Sequence, residues 1–415
     1  MIPTRGLLTA AMTLTATGLL LSGCTKVYTG SAQRDPGFDP NAVVLNLLDP
    51  GDFSTTPRAA LGAAGSFQAG REAEARRVAD YTVLPFQVDP TLNHPKTPSS
   101  LRNEKSLALA LGNEAVTTAA DGHRFVSGFE VTATDKDFDY TDDRTETYVT
   151  NIVAVFAGAD DAAAAAPGII ATAPLPPIDD FSRKTSAATA TTIPRYPNTR
   201  AWVYQETPTD RTSTQVVQAF TVRGPYLLAQ IAKTPTPAAS AELVAAILDR
   251  QGPLIDTFAP TPFDQLAALP VDPTGLWARL QLPQDSESTG MEGVYGGHAA
   301  VTFYDPPDDY QRIFTETGLD LLGIGAPSVL RTRDPAAAAA LRDFLVADYT
   351  KNGYQPIEKV PGLPGSQCLQ ETAPSSFGRT HCLTTVDRYV IDAWGMQENR
   401  TRQRLAAQYL MLTAP

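Results

Sequence analysis

Val153-Ala154-Val155-Phe156-Ala157-Gly158-Ala159-Asp160-Asp161, running into five alanines from Ala162 to Ala166, reads as a strand that turns directly into a helix. Alanine has the highest helix propensity, and Asp160 is placed to accept the unpaired N–H groups of the first turn as an N-cap. Pro167 and Gly168 disturb this helix but need not end it. Trp202 to Glu206, Val216 to Val222 and Tyr226 to Ile231 follow as strands, the last two joined by a turn at Arg223-Gly224-Pro225. Ser240 is then placed to cap a helix with Leu243, Val244, Ile247 and Leu248 on one face.

The same succession returns near the C-terminus. Ser328-Val-Leu-Arg-Thr-Arg-Asp334-Pro335 precedes a second run of five alanines, with Asp334 at the N-cap and Pro335 at the first helical position. Leu341, Phe344, Leu345 and Tyr349 form an apolar helical stripe. Gln367 to Gln370 is a strand, His381 to Thr385 and Tyr389 to Trp394 are hairpin arms, and a helix runs from about Asn399 to Leu412. Asp160 aligns with Asp334, Tyr226 with Tyr389, and Leu243 with Leu405. Chance is the competing explanation, since alanine runs are common in this composition. The pattern predicts an α+β protein of two related domains, each an antiparallel or mixed sheet with helices packed on one face. The five prolines of Pro253 to Pro273 mark the boundary, dividing 42–258 from 259–415.

Outside these units, Gly70 to Asp80 and Leu101 to Leu111 read as helices, and Val83 to Val88, broken by Pro85, as an edge strand or loop. His123 to Thr134 alternates as a half-buried strand, and Thr147 to Phe156 is its partner. Between them, acidic residues at Asp135, Asp137, Asp139, Asp143 and Glu146 overlay positions 1, 3, 5, 9 and 12 of a calcium loop. Tyr140 stands where that loop needs glycine, and the flanks are strands, so a solvated acidic hairpin loop is the plainer reading. In the second domain, Leu276 to Leu282 and His298 to Tyr304 read as strands around a Gly290 to Gly297 loop. That loop has no phosphate-binding glycine spacing, and His298 beside it is a faint hint of a ligand site.

The first residues carry an address. Arg5 precedes an apolar run, Leu7 to Leu21, too short to span a bilayer core of roughly twenty residues. Leu21-Ser22-Gly23-Cys24 closes it and resembles the bacterial lipoprotein signal. The resemblance implies removal of residues 1–23 by cleavage between Gly23 and Cys24, diacylglyceryl transfer to the Cys24 sulfur, and commonly a further acyl chain such as palmitate. Anchoring on the extracytoplasmic face of the cell membrane follows, at about 0.8 kcal/mol for each buried methylene. Residues 24–41 are small, polar and aperiodic, a tether with a reach of about 50 Å at most.

Hydrophobic residues make up 43% of the chain and charged ones 19%, so it folds rather than remaining disordered. The net charge of -12 repels phosphate backbones and anionic lipid surfaces. Nucleic acid is thereby excluded as a partner, and membrane attachment falls to the lipid. Besides Cys24 there are Cys368 and Cys382, best read in an exported protein as one disulfide; free thiols or a metal site are the alternative.

Leu48-Asp49-Pro50-Gly51, Val360-Pro-Gly-Leu-Pro-Gly-Ser-Gln-Cys368, His381-Cys382, Arg388-Tyr389-Val390 and Ala406-Ala407-Gln408-Tyr409 complete the layout. With these residues it resembles a family of uncharacterised two-domain lipoproteins of actinobacteria. The family implies location and domain number, with no activity or catalytic residue to carry over. A looser likeness of the cysteine and hairpin region to extracytoplasmic sensor domains of actinobacterial kinases implies ligand or partner binding.

No nucleophile elbow, His-Glu-x-x-His or Walker loop occurs, so no catalytic residue, cofactor or enzyme activity is assigned. The first reading is a cell-envelope binding or scaffolding module for an unknown envelope protein or ligand. A carrier of a hydrophobic envelope ligand would need a large apolar cavity, and an extracytoplasmic hydrolase a buried acid/base or nucleophile pair in a cleft.

Overall fold

The computed structural model describes residues 42–136, 147–172, 183–208, 213–283, 288–372 and 378–415. In the first half Ser66 Oγ accepts the Ala69 N–H at 3.2 Å and caps α1 (Phe67–Ala79). There follow β1 (His94–Pro95), β2 (Ser99–Leu101), α2 (Glu104–Ala110), α3 (Ala115–Ala120), β3 (Phe125–Thr134) and β4 (Tyr148–Phe156). Next come α4 (Ala159–Thr172), β5 (Arg183–Thr185), β6 (Thr189–Ile193), β7 (Tyr196–Pro208), β8 (Thr214–Arg223), β9 (Tyr226–Lys233) and α5 (Pro237–Ile255). The second half holds β10 (Gly293–Gly296), α6 (Gly297–Ala300), α7 (Pro307–Thr317), β11 (Leu321–Ile324), β12 (Pro327–Arg331) and α8 (Pro335–Lys351). It ends with β13 (Tyr354–Ile357), β14 (Gln367–Glu371), β15 (Thr380–Val386), β16 (Tyr389–Gly395) and α9 (Glu398–Thr413).

Among the described residues the strands form two antiparallel sheets, confirming the α+β class. The first runs β1-β3-β4-β9-β8-β7-β5, with β2 on β3 and β6 on β7; the second runs β10-β11-β12-β16-β15-β14-β13. The order β3-β4-β9-β8-β7 in one is matched by β11-β12-β16-β15-β14 in the other, and α4 and α5 leave corresponding strands to α8 and α9. Tyr226, paired with Arg223, and Tyr389, paired with Val386, each open the last strand after a two-residue turn. The repeat read from the alanine runs is therefore a repeat of topology.

Details differ from the sequence reading, each for a physical reason. Asp334 Oδ1 does cap α8, accepting the Ala337 N–H at 2.8 Å. Asp160, by contrast, lies inside the first turn of α4, where its charge meets the helix dipole instead of a cap position. Thr236, not Ser240, caps α5, because Pro237 takes the first helical position; Ser240 Oγ turns back to accept the Thr234 N–H at 3.0 Å. Pro85 to Gln87 is a buried 3-10 turn, and its flank is tied by the Val83 N–H donating to Gln251 Oε1 at 2.8 Å.

In the second half, Trp277–Arg279 and Val301–Phe303 are 3-10 turns and Gly297–Ala300 is helical; the strand is Gly293–Gly296, inside the stretch read as a loop. Its glycines serve close approach. A Cβ on Gly296 would collide with the Asp80 carboxylate, and one on Gly297 with the Leu319 carbonyl.

Helices cover both faces of each sheet rather than one. Ala162, Ala165 and Ile169 of α4 pack with α2 and α3 over Phe156, Phe220 and Leu227. Val244, Ile247 and Leu248 of α5 lie over Val153, Val217 and Leu228 on the other side. The strand expected to be half-buried, β3, is for that reason buried along almost its whole length. In the second sheet Leu341 and Leu345 of α8 face Leu330, Leu383 and Val390, while Leu405 and Ala406 of α9 face Cys368, Cys382 and Ile391.

The halves share a core. One continuous apolar cluster runs from the α5 side of the first sheet to the α8 side of the second. At the join, the Tyr295 ring of β10 lies 6.4 Å from Phe129 and 5.0 Å from Phe303. The segment before residue 61 runs along the second half, where the Val44 N–H donates to Gly362 O and the Arg58 N–H to Ala278 O, both at 2.9 Å.

Candidate functional site

The turn Ser288-Thr289-Gly290-Met291-Glu292, which leads into β10, is held in shape by one carboxylate. Glu292 accepts from the Thr289 N–H (2.6 Å), Ser288 Oγ (3.0 Å) and Thr289 Oγ1 (3.1 Å). Burial by itself would raise the Glu292 pKa, but these hydrogen bonds outweigh it and hold the group below its ordinary value.

Three clefts meet on this turn. The first, of about 460 Å³, is walled by Ile324, Ala326, Trp394 and Met396 and rimmed by Arg400 and Arg404. Trp394 is 46% and Met396 50% exposed, so this wall presents large apolar side chains to water. The second, of about 480 Å³, lies over β2 and contains Ser99, Leu109, Glu130 and Met291. The third, also about 480 Å³, holds Glu72, Arg76, Ser100, Arg102, Trp277 and Glu292. Ser100, Arg102 and Gly290 line both of the last two, making them neighbours at the join of the halves.

The third cleft owes its chemistry to α1. Arg76 lies in the last turn of that helix, where a cation suits the helix dipole, with its guanidinium carbon 5.2 Å from the Trp277 ring centroid. Gly293, at φ 149°, leaves the space: a Cβ there would stand 2.5 Å from Arg76 Cδ. Burial pulls the Arg76 pKa down, partly offset by Tyr295 and Glu72. Among the described residues Arg76 makes no hydrogen bond or ion pair. Arg102 Nη1 stands 3.9 Å from Glu72 Oε1, an ion pair beyond hydrogen-bond distance. Ser100 Oγ is buried beside the Tyr295 hydroxyl, which donates to Met291 O at 2.9 Å; Ser100 is close enough to lower the Tyr295 pKa but makes no hydrogen bond of good geometry.

Glu130 closes the second cleft. It lies opposite Ser99 in the β2–β3 ladder, and burial pushes its pKa up to about 7 against a smaller lowering by Ser99.

A separate cluster sits under α8. Asp392 accepts from the Tyr349 hydroxyl at 2.5 Å and from His381 Nδ1 at 3.0 Å. Burial, with the Asp392 charge added, pushes the Tyr349 pKa well above its usual value. His381 and Asp392 are 8% and 4% exposed, which suits a packed polar network.

Cys368 and Cys382 face each other across β14 and β15 and are bonded. Cys24 and Gly23 lie outside the described residues, as do Asp137, Asp139 and Glu146 of the acidic stretch. Asp135, at its start, spends one carboxylate oxygen on the Thr147 N–H at 2.9 Å and closes the base of the hairpin. His298 donates from Nε2 to the Thr82 carbonyl at 2.9 Å, and Asp80 accepts the Ala299 N–H at 2.9 Å. This pair fastens the two halves, so the His298 ring nitrogen beside the glycine stretch is engaged in a structural contact. The cleft residues Arg76, Arg102, Glu130 and Trp277 had no sequence signal, since they come from four separated segments. No helix among the described residues is long and apolar enough to cross a membrane.

Among curated proteins nothing matches. The extracellular domain of PknH from Mycobacterium tuberculosis is 11% identical over 43% of this chain and 95% of that one, with a TM-score of 0.31. DynU16, a putative protein of the dynemicin biosynthetic locus, is 8% identical over 77% of this chain and 95% of its own, with a TM-score of 0.12. At these TM-scores neither bears on fold or role. Models of a domain of unknown function, DUF7373, match residues 61–271 for its N-terminal part and 277–414 for its C-terminal part. Each of the two parts carries one of the two sheets, and with both present in order over most of its length the chain belongs to the DUF7373 family.

Proposed function

We propose that this protein is an extracytoplasmic binding module, held to the cell membrane by lipid on Cys24, that takes a ligand in the clefts around Ser288–Glu292 and catalyses no reaction. The observation that carries the reading is the convergence of three clefts of about 460 to 480 Å³ on one short turn between the two halves. Such volumes suit a small molecule, and pockets between domains are common ligand sites. The titratable cluster best placed for hydrolysis, His381 with Asp392 and Tyr349, is spent on internal hydrogen bonds. The apolar wall of Trp394 and Met396 supports a second reading, that the ligand has a hydrophobic part and is carried.

A Cys24→Ala form, released from the membrane on this reading, allows the test in water. Thermal melts with lipid-soluble and water-soluble fractions of a cell-envelope extract should show one fraction raising the midpoint, and Thr289→Trp, which fills the wall shared by the first two clefts, should abolish the rise. A Cys24→Ala form that stays in the membrane after a salt wash would overturn the anchor. A rise unaffected by Thr289→Trp, or none at all, would overturn the site.

A further inference from the structure

We propose that the third cleft is an oxyanion site, in which Arg76 and Arg102 bind the phosphate or carboxylate of an amphiphilic ligand whose apolar part lies along the Trp394 and Met396 wall. The proposal rests on the binding reading above and names the chemistry of its ligand. A guanidinium presents five N–H donors, and among the described residues those of Arg76 meet no acceptor in a half-buried setting. Removing a charge from water without a partner is costly, so an arrangement of this kind is stable when something else supplies the acceptors. The Trp277 face meets Arg76 from one side, and among the described residues no acceptor takes its planar fork, which can pair with two oxygens at once.

Among the described residues, nearby acids do not already fill the role. Glu292 has its acceptors taken within its own turn, and Glu72 stands 3.9 Å from Arg102. Ser100 Oγ, buried on the same wall and making no hydrogen bond of good geometry, supplies a third donor. Gly293 is the residue that makes room for Arg76, so the cleft is shaped around that side chain. The apolar half of the ligand follows from the first cleft, which shares Thr289 with the second cleft and Glu292 with the third.

Titration calorimetry on the Cys24→Ala form with inorganic phosphate, decanoate and decyl phosphate, at ionic strength matched with chloride, tests this. Decyl phosphate or decanoate should bind more tightly than phosphate alone, and the better of the two identifies the oxyanion. Arg76→Gln should weaken that binding by at least about tenfold, the loss expected for one charge-assisted hydrogen-bonded contact. Ser100→Ala gives a milder variant should Arg76→Gln fail to fold, and should weaken binding by about threefold or more, as loss of one hydrogen bond does. No heat beyond the chloride control, or unchanged affinity in the variant that folds, would overturn the oxyanion site. If the envelope-extract effect blocked by Thr289→Trp persists in that event, the binding reading stands and only this chemistry falls.

Discussion

Glu130 is the residue whose ionisation the fold alters most usefully for measurement. Its folded pKa of about 7 lies above the ordinary carboxylate value, so the protonated form is favoured in the native state. A raised pKa contributes stability that is fully present below the unfolded value and is lost as pH climbs through the folded one. The wild type should thus lose stability between about pH 4.5 and pH 7, by no more than about 3 kcal/mol and less where solvent at the cleft mouth screens the charge. Glu130→Gln should therefore melt near the wild type at pH 5 and above it at pH 8. A variant no more stable than wild type at pH 8 would show that the carboxyl is better solvated than its burial implies. Nothing in Gly128-Phe129-Glu130-Val131 announces this, because alternation places Glu130 on a strand face without saying what covers it.

At the scale of elements, capping chemistry was legible where a single local contact decides it. Asp334 and Pro335 follow from the sequence, since a side chain that reaches its own helix needs no tertiary partner. Ser240 does not cap its helix because Thr236 and Pro237 take the helix start four residues earlier. The Cys368–Cys382 pair is likewise local: adjacent antiparallel strands put the two residues in register. Replacing both by alanine should cost about 3 kcal/mol in urea unfolding, the entropy of a loop of this size, and leave secondary structure in place. A loss below about 1 kcal/mol would mean the hairpin is already closed by its ladder. The glycine stretch failed as a sequence signal for a related reason. Glycine reads as a turn when seen alone, and only the Asp80 carboxylate pressing on Gly296 shows that it marks an approach between elements.

For the whole molecule, the shared apolar cluster makes a prediction about cooperativity. Because the core runs through Phe129, Tyr295 and Phe303 from one sheet to the other, the halves should unfold together in a single transition followed by circular dichroism and tryptophan fluorescence alike. Two separated transitions would mean that the join contributes little. The sequence by itself determined the α+β class, and it pointed to the repeated strand and helix order and to the pairing of Cys368 with Cys382. Those rest on periodicity, capping and spacing, which act within tens of residues. Only the tertiary structure decided that helices cover both faces of each sheet and that the two sheets share one core. It alone placed Arg76, Arg102 and Glu130 around the turn at Ser288–Glu292. Such a cleft is a meeting of surfaces from distant segments, and the burial that lowers an arginine's pKa or raises a carboxyl's belongs to the packed whole rather than to any stretch of chain.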